Sequence, residues 1–347
     1  MSDEATTRAA PRRGAGGGAF AAPAVGSPDD GVPEGAPSAP GATVRLADWM
    51  MGAIARSGIR HVFMVAGGGA MHLDDAAGAH PGLEVVCFLH EQAAAIAAEA
   101  YAKVAGIPAL CLVTTGPGGT NAITGVAGGF LDSTPMLVVS GQVKRADRVG
   151  STGVRQRGIQ ELDICRIVAP ITKDARVVED QTEVRRELER ALLLARSGRP
   201  GPVWLDVPLD VQGAPIDPDR LAGYDPSEAP PQPQLAGRPL ADAARRVAGM
   251  LAEAERPLLL AGAGVRLAGA EERFRSYVER AGVPVLTTWP AMGVVGEEHP
   301  LHVGRPGSLA PRGANFALQC ADVLVTIGAR LDLATTGYDP KDFGRRA

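Results

Sequence analysis

Five short apolar runs in the first two thirds of this sequence decide what the chain can fold into. They occupy residues 62–66, 85–89, 109–113, 136–140 and 203–207, and none alternates apolar with polar side chains. A strand with one wet face alternates, so runs that are apolar throughout need cover on both faces. Each leads through glycine or a polar cluster into a helical stretch, which predicts an α/β domain built on a doubly wound parallel sheet. The runs end in Gly67-Gly68-Gly69, His90-Glu91, Thr115-Gly116-Pro117-Gly118 and Gly141-Gln142. Open sheets of this kind bind ligands outside the carboxyl ends of their strands, so these loops are expected to share one edge.

The rest of the 347 residues divides around that domain. Residues 1–42 are rich in Ala, Gly and Pro with almost no large apolar side chains, and are predicted to be a disordered tail. The first domain covers 43–212. Residues 213–238, which include Pro230-Pro231-Gln232-Pro233, are expected to form an extended linker. A second, incomplete Rossmann-like α/β domain is predicted over 239–347, with helices at 240–255 and 269–281, strands at 257–261, 284–288 and 323–327, and a Gly262-Ala263-Gly264 turn. The hydrophobic fraction of 45% is enough for a large core, and a net charge of −4 with scattered arginines argues against nucleic acid as a partner. No apolar run approaches the roughly 20 residues of a membrane span, and no signal peptide is evident. Cys87, Cys111, Cys165 and Cys320 lack paired spacing, as expected of reduced thiols in a cytoplasmic protein.

Glu91 is the leading candidate for chemistry. It follows a strand and opens an Ala-rich helix, where a carboxylate can hydrogen-bond and protonate a ring nitrogen of a bound cofactor; acidic residues are also common in any first helical turn. Thr115 to Asn121 join a buried strand to a helix, where glycines admit a ligand close to the backbone, although an ordinary tight turn reads the same way. Gly262 and Gly264 make a weaker version of that turn. His299-Pro300-Leu301-His302 is rejected as a metal pair because the proline prevents a shared helical face, and no metal ligand is assigned in this chain. His72 and His90 read as structural.

In order along the chain stand Gly67-Gly68-Gly69, His90-Glu91-Gln92, Thr115 to Asn121, Asp132-Ser133-Thr134-Pro135, Ser140-Gly141-Gln142, Gln160-Glu161, Pro170-Ile171-Thr172-Lys173 and Gly198-Arg199-Pro200-Gly201-Pro202. This set resembles the acetolactate synthase and pyruvate oxidase branch of the thiamine diphosphate enzymes, over roughly residues 43–340. The resemblance implies that Glu91 activates the cofactor's pyrimidine and that Gly67, Gly68, Thr115, Gly116, Asn121 and Gln142 line the cofactor or substrate side of its pocket. It implies that Arg199, Gly262, Gly264 and the 304–315 stretch match positions that hold a largely structural FAD, and that Gln160 and Lys173 match the substrate channel.

Family members continue into a third domain whose Gly-Asp-Gly motif and downstream Asn bind Mg2+ and diphosphate, and which pairs with the pyrimidine domain of a partner subunit. The expectation is therefore a homodimer or homotetramer. The chain itself is expected to be a fragment, a truncated reading frame or half of a split enzyme, inactive alone or completed by a separate chain. Two positions depart from the family. Arg330-Leu331-Asp332-Leu333-Ala334 has alanine where an arginine usually holds the carboxylate of a second 2-oxo acid, and Ile159 replaces a phenylalanine. The implied activity is a carboligase that decarboxylates a 2-oxo acid such as pyruvate and transfers the acyl group to a carbonyl acceptor, a ketosugar being one option. Acetolactate synthase proper is the alternative, a non-catalytic cofactor-binding or regulatory subunit is an alternative from another class, and a nicotinamide dehydrogenase is a distant third.

Overall fold

The computed structural model describes residues 42–231 and 237–347; all but the last residue of the tail expected at 1–42, and the centre of the expected linker, lie outside them. Two all-parallel sheets organise the described residues. The first has six strands, β1 His61–Met64, β2 Glu84–Cys87, β3 Ala109–Val113, β4 Met136–Gln142, β5 Asp174–Val177 and β6 Pro202–Pro208, in the order β2-β1-β3-β4-β6-β5.

The absence of alternation in the sequence has a direct cause in this sheet. Leu110, Leu112, Leu137, Val139, Val203 and Leu205 face one apolar cluster, whereas Ala109, Cys111, Val113, Met136, Val138 and Trp204 face a second. Helices α1 Leu46–Arg56, α2 Met71–Ala79 and α6 Val184–Arg196 close the first face. Helices α3 Glu91–Ala105, α4 Pro117–Asp132 and α5 Ile164–Val168 close the second. Both strand parities are buried, so both must be apolar. Small residues bring α3 and α4 together: a β-carbon on Gly125 would lie 2.6 Å from the Ala95 backbone.

Five strands lie within two residues of their expected bounds, and 109–113 coincides with β3. Edge strand β5 was not anticipated, because Asp174 and Arg176 interrupt any apolar run. The expected linker is also less free than its composition suggests. Val44 pairs with Ile216 in a short antiparallel ribbon, Leu221 is buried in the first cluster, and the Tyr224 N–H donates to Glu189 Oε2 at 2.8 Å.

The second sheet contains β7 Pro257–Ala261, β8 Val285–Thr287, β9 His302–Gly304 and β10 Val323–Ile327, in the order β9-β8-β7-β10. The helix expected at 269–281 is Glu271–Ala281, and a short helix Gly264–Leu267 that was not expected precedes it, the two separated at Gly269, whose φ of +60° belongs to glycine. No described helix is long and apolar enough to cross a membrane.

Candidate functional site

The chain runs outward in opposite directions from β1 and β3 of the first sheet, which creates a crevice between their carboxyl ends. The loops there meet at glycines, which bring main chain close, and through short bonds between side chains and main chain. Gly69 N–H donates to Thr114 Oγ1 at 3.1 Å, Thr115 Oγ1 donates to the Gly141 carbonyl at 3.0 Å, and the Gly69 carbonyl accepts from Gln212 Nε2 at 2.8 Å. A β-carbon at Gly141 would lie 2.0 Å from the Gly69 oxygen, and one at Gly67 would lie 2.5 Å from Thr114 Cβ. Gly116, with φ +62°, then turns the chain into α4, and Pro117 occupies the first turn, where its missing N–H costs nothing.

Glu91 sits on the rim of this crevice as the first residue of α3, with His90 capping the helix by accepting from Gln92 N–H at 3.1 Å. Asn121, one turn into α4, donates its Nδ2–H to Glu91 Oε2 at 2.9 Å. Oε1 makes no hydrogen bond among the described residues. It faces space left by a glycine: a β-carbon on Gly118 would stand 3.7 Å from it. The carboxylate is thus fixed through one oxygen and open through the other, beside Gly118 and the methyl group of Thr114. An aminopyrimidine ring, flat and nitrogen-edged, fits that donor set.

The structure therefore gathers Gly67, Gly68, Thr115, Gly116, Asn121 and Glu91 at one edge. Gln160 joins them through its main chain: it has a φ of +60°, its side chain is exposed, and its carbonyl lies against Gly116, 2.0 Å from where a β-carbon would be. Two expected residues are placed otherwise. Gln142 is buried beneath the crevice, with Nε2 donating to the Leu162 carbonyl at 2.9 Å and to Asp206 Oδ2 at 2.8 Å, while Oε1 accepts from Val143 N–H. Its polar atoms are engaged within the protein and do not line the pocket. Lys173 precedes β5 at the amino end of the sheet, opposite Glu91, and its ammonium donates to the Leu194 and Ser197 carbonyls at the end of α6. Cations favour that helix end, so here Lys173 serves as a helix cap.

Two carboxylates escaped the sequence reading. Asp74 accepts from Gly67 N–H at 3.0 Å, and burial pushes its pKa up to about 6. Asp206, fully buried in β6, is pushed up to about 7 by burial, against hydrogen bonds from Ser140 and Gln142. A lone Asp inside Val203-Trp204-Leu205-Asp206-Val207 was the available signal.

A second site lies between the two units, a cleft of about 550 Å³ lined among others by Ser133, Arg199, Gly264, Thr288, Gly328 and Arg330. Gly262 and Gly264 pack on the loop after β10: a β-carbon on Gly262 would lie 2.1 Å from the Gly328 carbonyl oxygen. Arg199 donates to Ser133 Oγ at 2.7 Å, and Arg330 donates to the Leu131 carbonyl at 2.6 Å. The 304–315 stretch is tied by Asn315, whose side chain bonds both the N–H and the carbonyl of Gly307. The volume lies in the range of small-molecule sites, and its lining combines glycine backbone, the Arg199 and Arg330 guanidinium groups and the Asp132 and Asp332 carboxylates.

Residues 44–167 match the family model described as thiamine pyrophosphate enzyme, N-terminal TPP binding domain, and residues 244–347 match the thiamine pyrophosphate enzyme central domain. The chain is 38% identical over 281 residues to the acetolactate synthase large subunit of Corynebacterium glutamicum, covering 80% of this chain and 42% of that one. It is 36% identical over 301 residues to acetolactate synthase of Arthrospira platensis, covering 83% and 49%. It is 34% identical over 296 residues to acetolactate synthase 1, chloroplastic, of Zea mays, covering 84% and 44%. The chain thus spans about half the length of the relatives it matches.

Proposed function

Because this chain belongs to the thiamine pyrophosphate enzyme family, whose N-terminal and central domains it carries, we propose that it works in a thiamine diphosphate-dependent carboligase acting on a 2-oxo acid. The observation that carries this reading is the Glu91 carboxylate, held by Asn121 through one oxygen and open through the other at the edge of the crevice. Thiamine diphosphate, when bound, supplies the carbon nucleophile for decarboxylation and acyl transfer. Glu91 Oε1 holds a proton against the pyrimidine ring nitrogen, Asn121 fixes the direction of the carboxylate, and the glycine-lined loops let the ring approach the backbone. We assign this pyrimidine-binding role to residues 43–212 and the central role to 239–347. The interdomain cleft would hold FAD, with Arg199, Gly262 and Gly264 as residues on that side; Mg2+ and the diphosphate would be held by groups outside these two domains.

We read the working assembly as a cytoplasmic homodimer or homotetramer, in keeping with four unpaired cysteines and with relatives named as large subunits. The acceptor is a carbonyl compound without a carboxylate, a ketosugar being the type, because Ala334 stands where a second 2-oxo acid would need a guanidinium partner. The names of the relatives favour a second reading, acetolactate synthase itself. Supplying pyruvate alone and measuring acetolactate separates the two.

The direct test is Glu91→Gln in the complete protein. Carboligation is expected to fall by about 10²–10⁴-fold, the usual worth of a positioned acid–base group, with an unchanged melting temperature. Wild-type turnover in that variant would overturn the reading.

A further inference from the structure

We propose that Asp206 is a positioning residue which, through Gln142, fixes the 158–163 loop against Gly116 and so sets one wall of the Glu91 site. The proposal deepens the thiamine diphosphate reading and rests on it for the function of that wall.

Asp206 occupies the middle of β6, a strand that is buried at every position. A carboxylate there loses its hydration, which is unfavourable unless hydrogen bonds replace the lost water, and an apolar residue would serve the sheet alone better. Its bonds are specific. Ser140 Oγ donates to Oδ1 at 2.6 Å while accepting from Trp204 Nε1 at 2.8 Å, and Gln142 Nε2 donates to Oδ2 at 2.8 Å. Ser140 and Gln142 lie two apart on β4, and Trp204 and Asp206 two apart on β6. All four point to the face that α3, α4 and α5 cover.

Gln142 carries this anchor outward, for its amide nitrogen also reaches the Leu162 carbonyl at 2.9 Å, and Val143 N–H holds its oxygen. Leu162 belongs to a segment without helix or strand, between Gly158 and Asp163. The far end of that segment is folded on itself by Glu161, which accepts from Val149 and Gly158 N–H. Between these two fixings Gln160 takes its left-handed backbone, and its carbonyl rests on Gly116, the residue that starts α4. Helix α4 in turn carries Asn121 to Glu91. Within the described residues, Gln142 supplies the side-chain bond from the sheet to the inner edge of the loop, and Asp206 aims it.

Hydrogen exchange of the whole 347-residue chain without added cofactor tests the proposal. Asp206→Ala and Gln142→Leu should speed exchange of the 158–163 amides at least tenfold and leave those of β3 at wild-type rates. Ser140→Ala, which removes the other partner, should leave the loop protected, and Asp206→Asn, which keeps an acceptor for Gln142, should restore protection. Unchanged loop exchange in Gln142→Leu would overturn the proposal, as would loop and β3 amides accelerating together, or failure of Asp206→Asn to protect. If Asp206→Ala does not fold, the Gln142→Leu and Asp206→Asn pair decides. No cofactor enters these measurements, so their failure leaves the thiamine diphosphate reading standing, and the Glu91→Gln test can fail without touching the loop anchor.

Discussion

At the carboxyl edge of the six-stranded sheet the loops touch backbone to backbone, whereas between the two units they stand apart around a cleft of about 550 Å³. The first region uses glycines and short buried bonds to fix a single carboxylate. The second uses exposed Arg199 and Arg330, two long side chains that meet the end of α4 from different units, Arg199 at 3.4 Å and Arg330 at 2.6 Å from the same Leu131 carbonyl. The difference teaches how one chain can serve two demands. Contact between main chains gives position with little tolerance, and long cationic stems around an open volume give capacity with little rigidity.

The contrast predicts that the glycine seam breaks first. Gly141→Ala should cost about 3 kcal/mol or more in urea unfolding, because its new carbon meets main chain that cannot yield. Gly128→Ala, in α4 with open space around it, should gain roughly 0.5–1 kcal/mol from helix propensity. Equal effects at the two positions would dissolve the distinction.

A smaller effect concerns pH. Asp74 and Asp206 have folded pKa values raised to about 6 and about 7 from an ordinary 3.8, so the folded state holds their protons more tightly than the unfolded state. Their contribution is full below about pH 4 and is lost as the pH rises through 6 and 7. The carboxylates held low by hydrogen bonds, such as Asp210, Asp322 and Asp332, finish titrating below this window. Stability should therefore fall by on the order of 2 kcal/mol between pH 5 and pH 8, and the slope should flatten in Asp206→Asn. Unfolding midpoints that rise over that range would contradict the assignment.

The smallest effect belongs to the cleft. Arg330→Ala should shift the unfolding free energy by about 0.5 kcal/mol, since the exposed guanidinium is screened and Arg199 still reaches Leu131. A loss several times larger would mean that the cleft is as tightly built as the seam.

Much of this is legible in the sequence, for a reason visible in β3: when both faces of a strand are covered, Ala109 to Val113 must all be apolar, and the run marks itself. Glu91 was legible because strand end and helix start are both written in local residue types. Gln142 was not. Its place at a strand end suggested the pocket, but the two-residue period of β4 puts it with Met136, Val138 and Ser140 on the covered face. The order of motifs along a chain does not say to which edge of the sheet a residue returns, so the place of Lys173 at the amino end of β5 is not legible in the sequence. Edge strand β5 hid behind its charges, which such strands carry on their exposed side.

Helix α4 has one further consequence. Its 16 residues make a rod of about 24 Å, with Asn121 near one end and the Leu131 carbonyl at the other. A body of that stiffness transmits displacement along its axis instead of absorbing it. The arginines of the cleft hold one end of this rod through the Leu131 carbonyl, and Asn121 near the other end holds Glu91. The crevice and the cleft in this sense share one helix, each touching an opposite end of it.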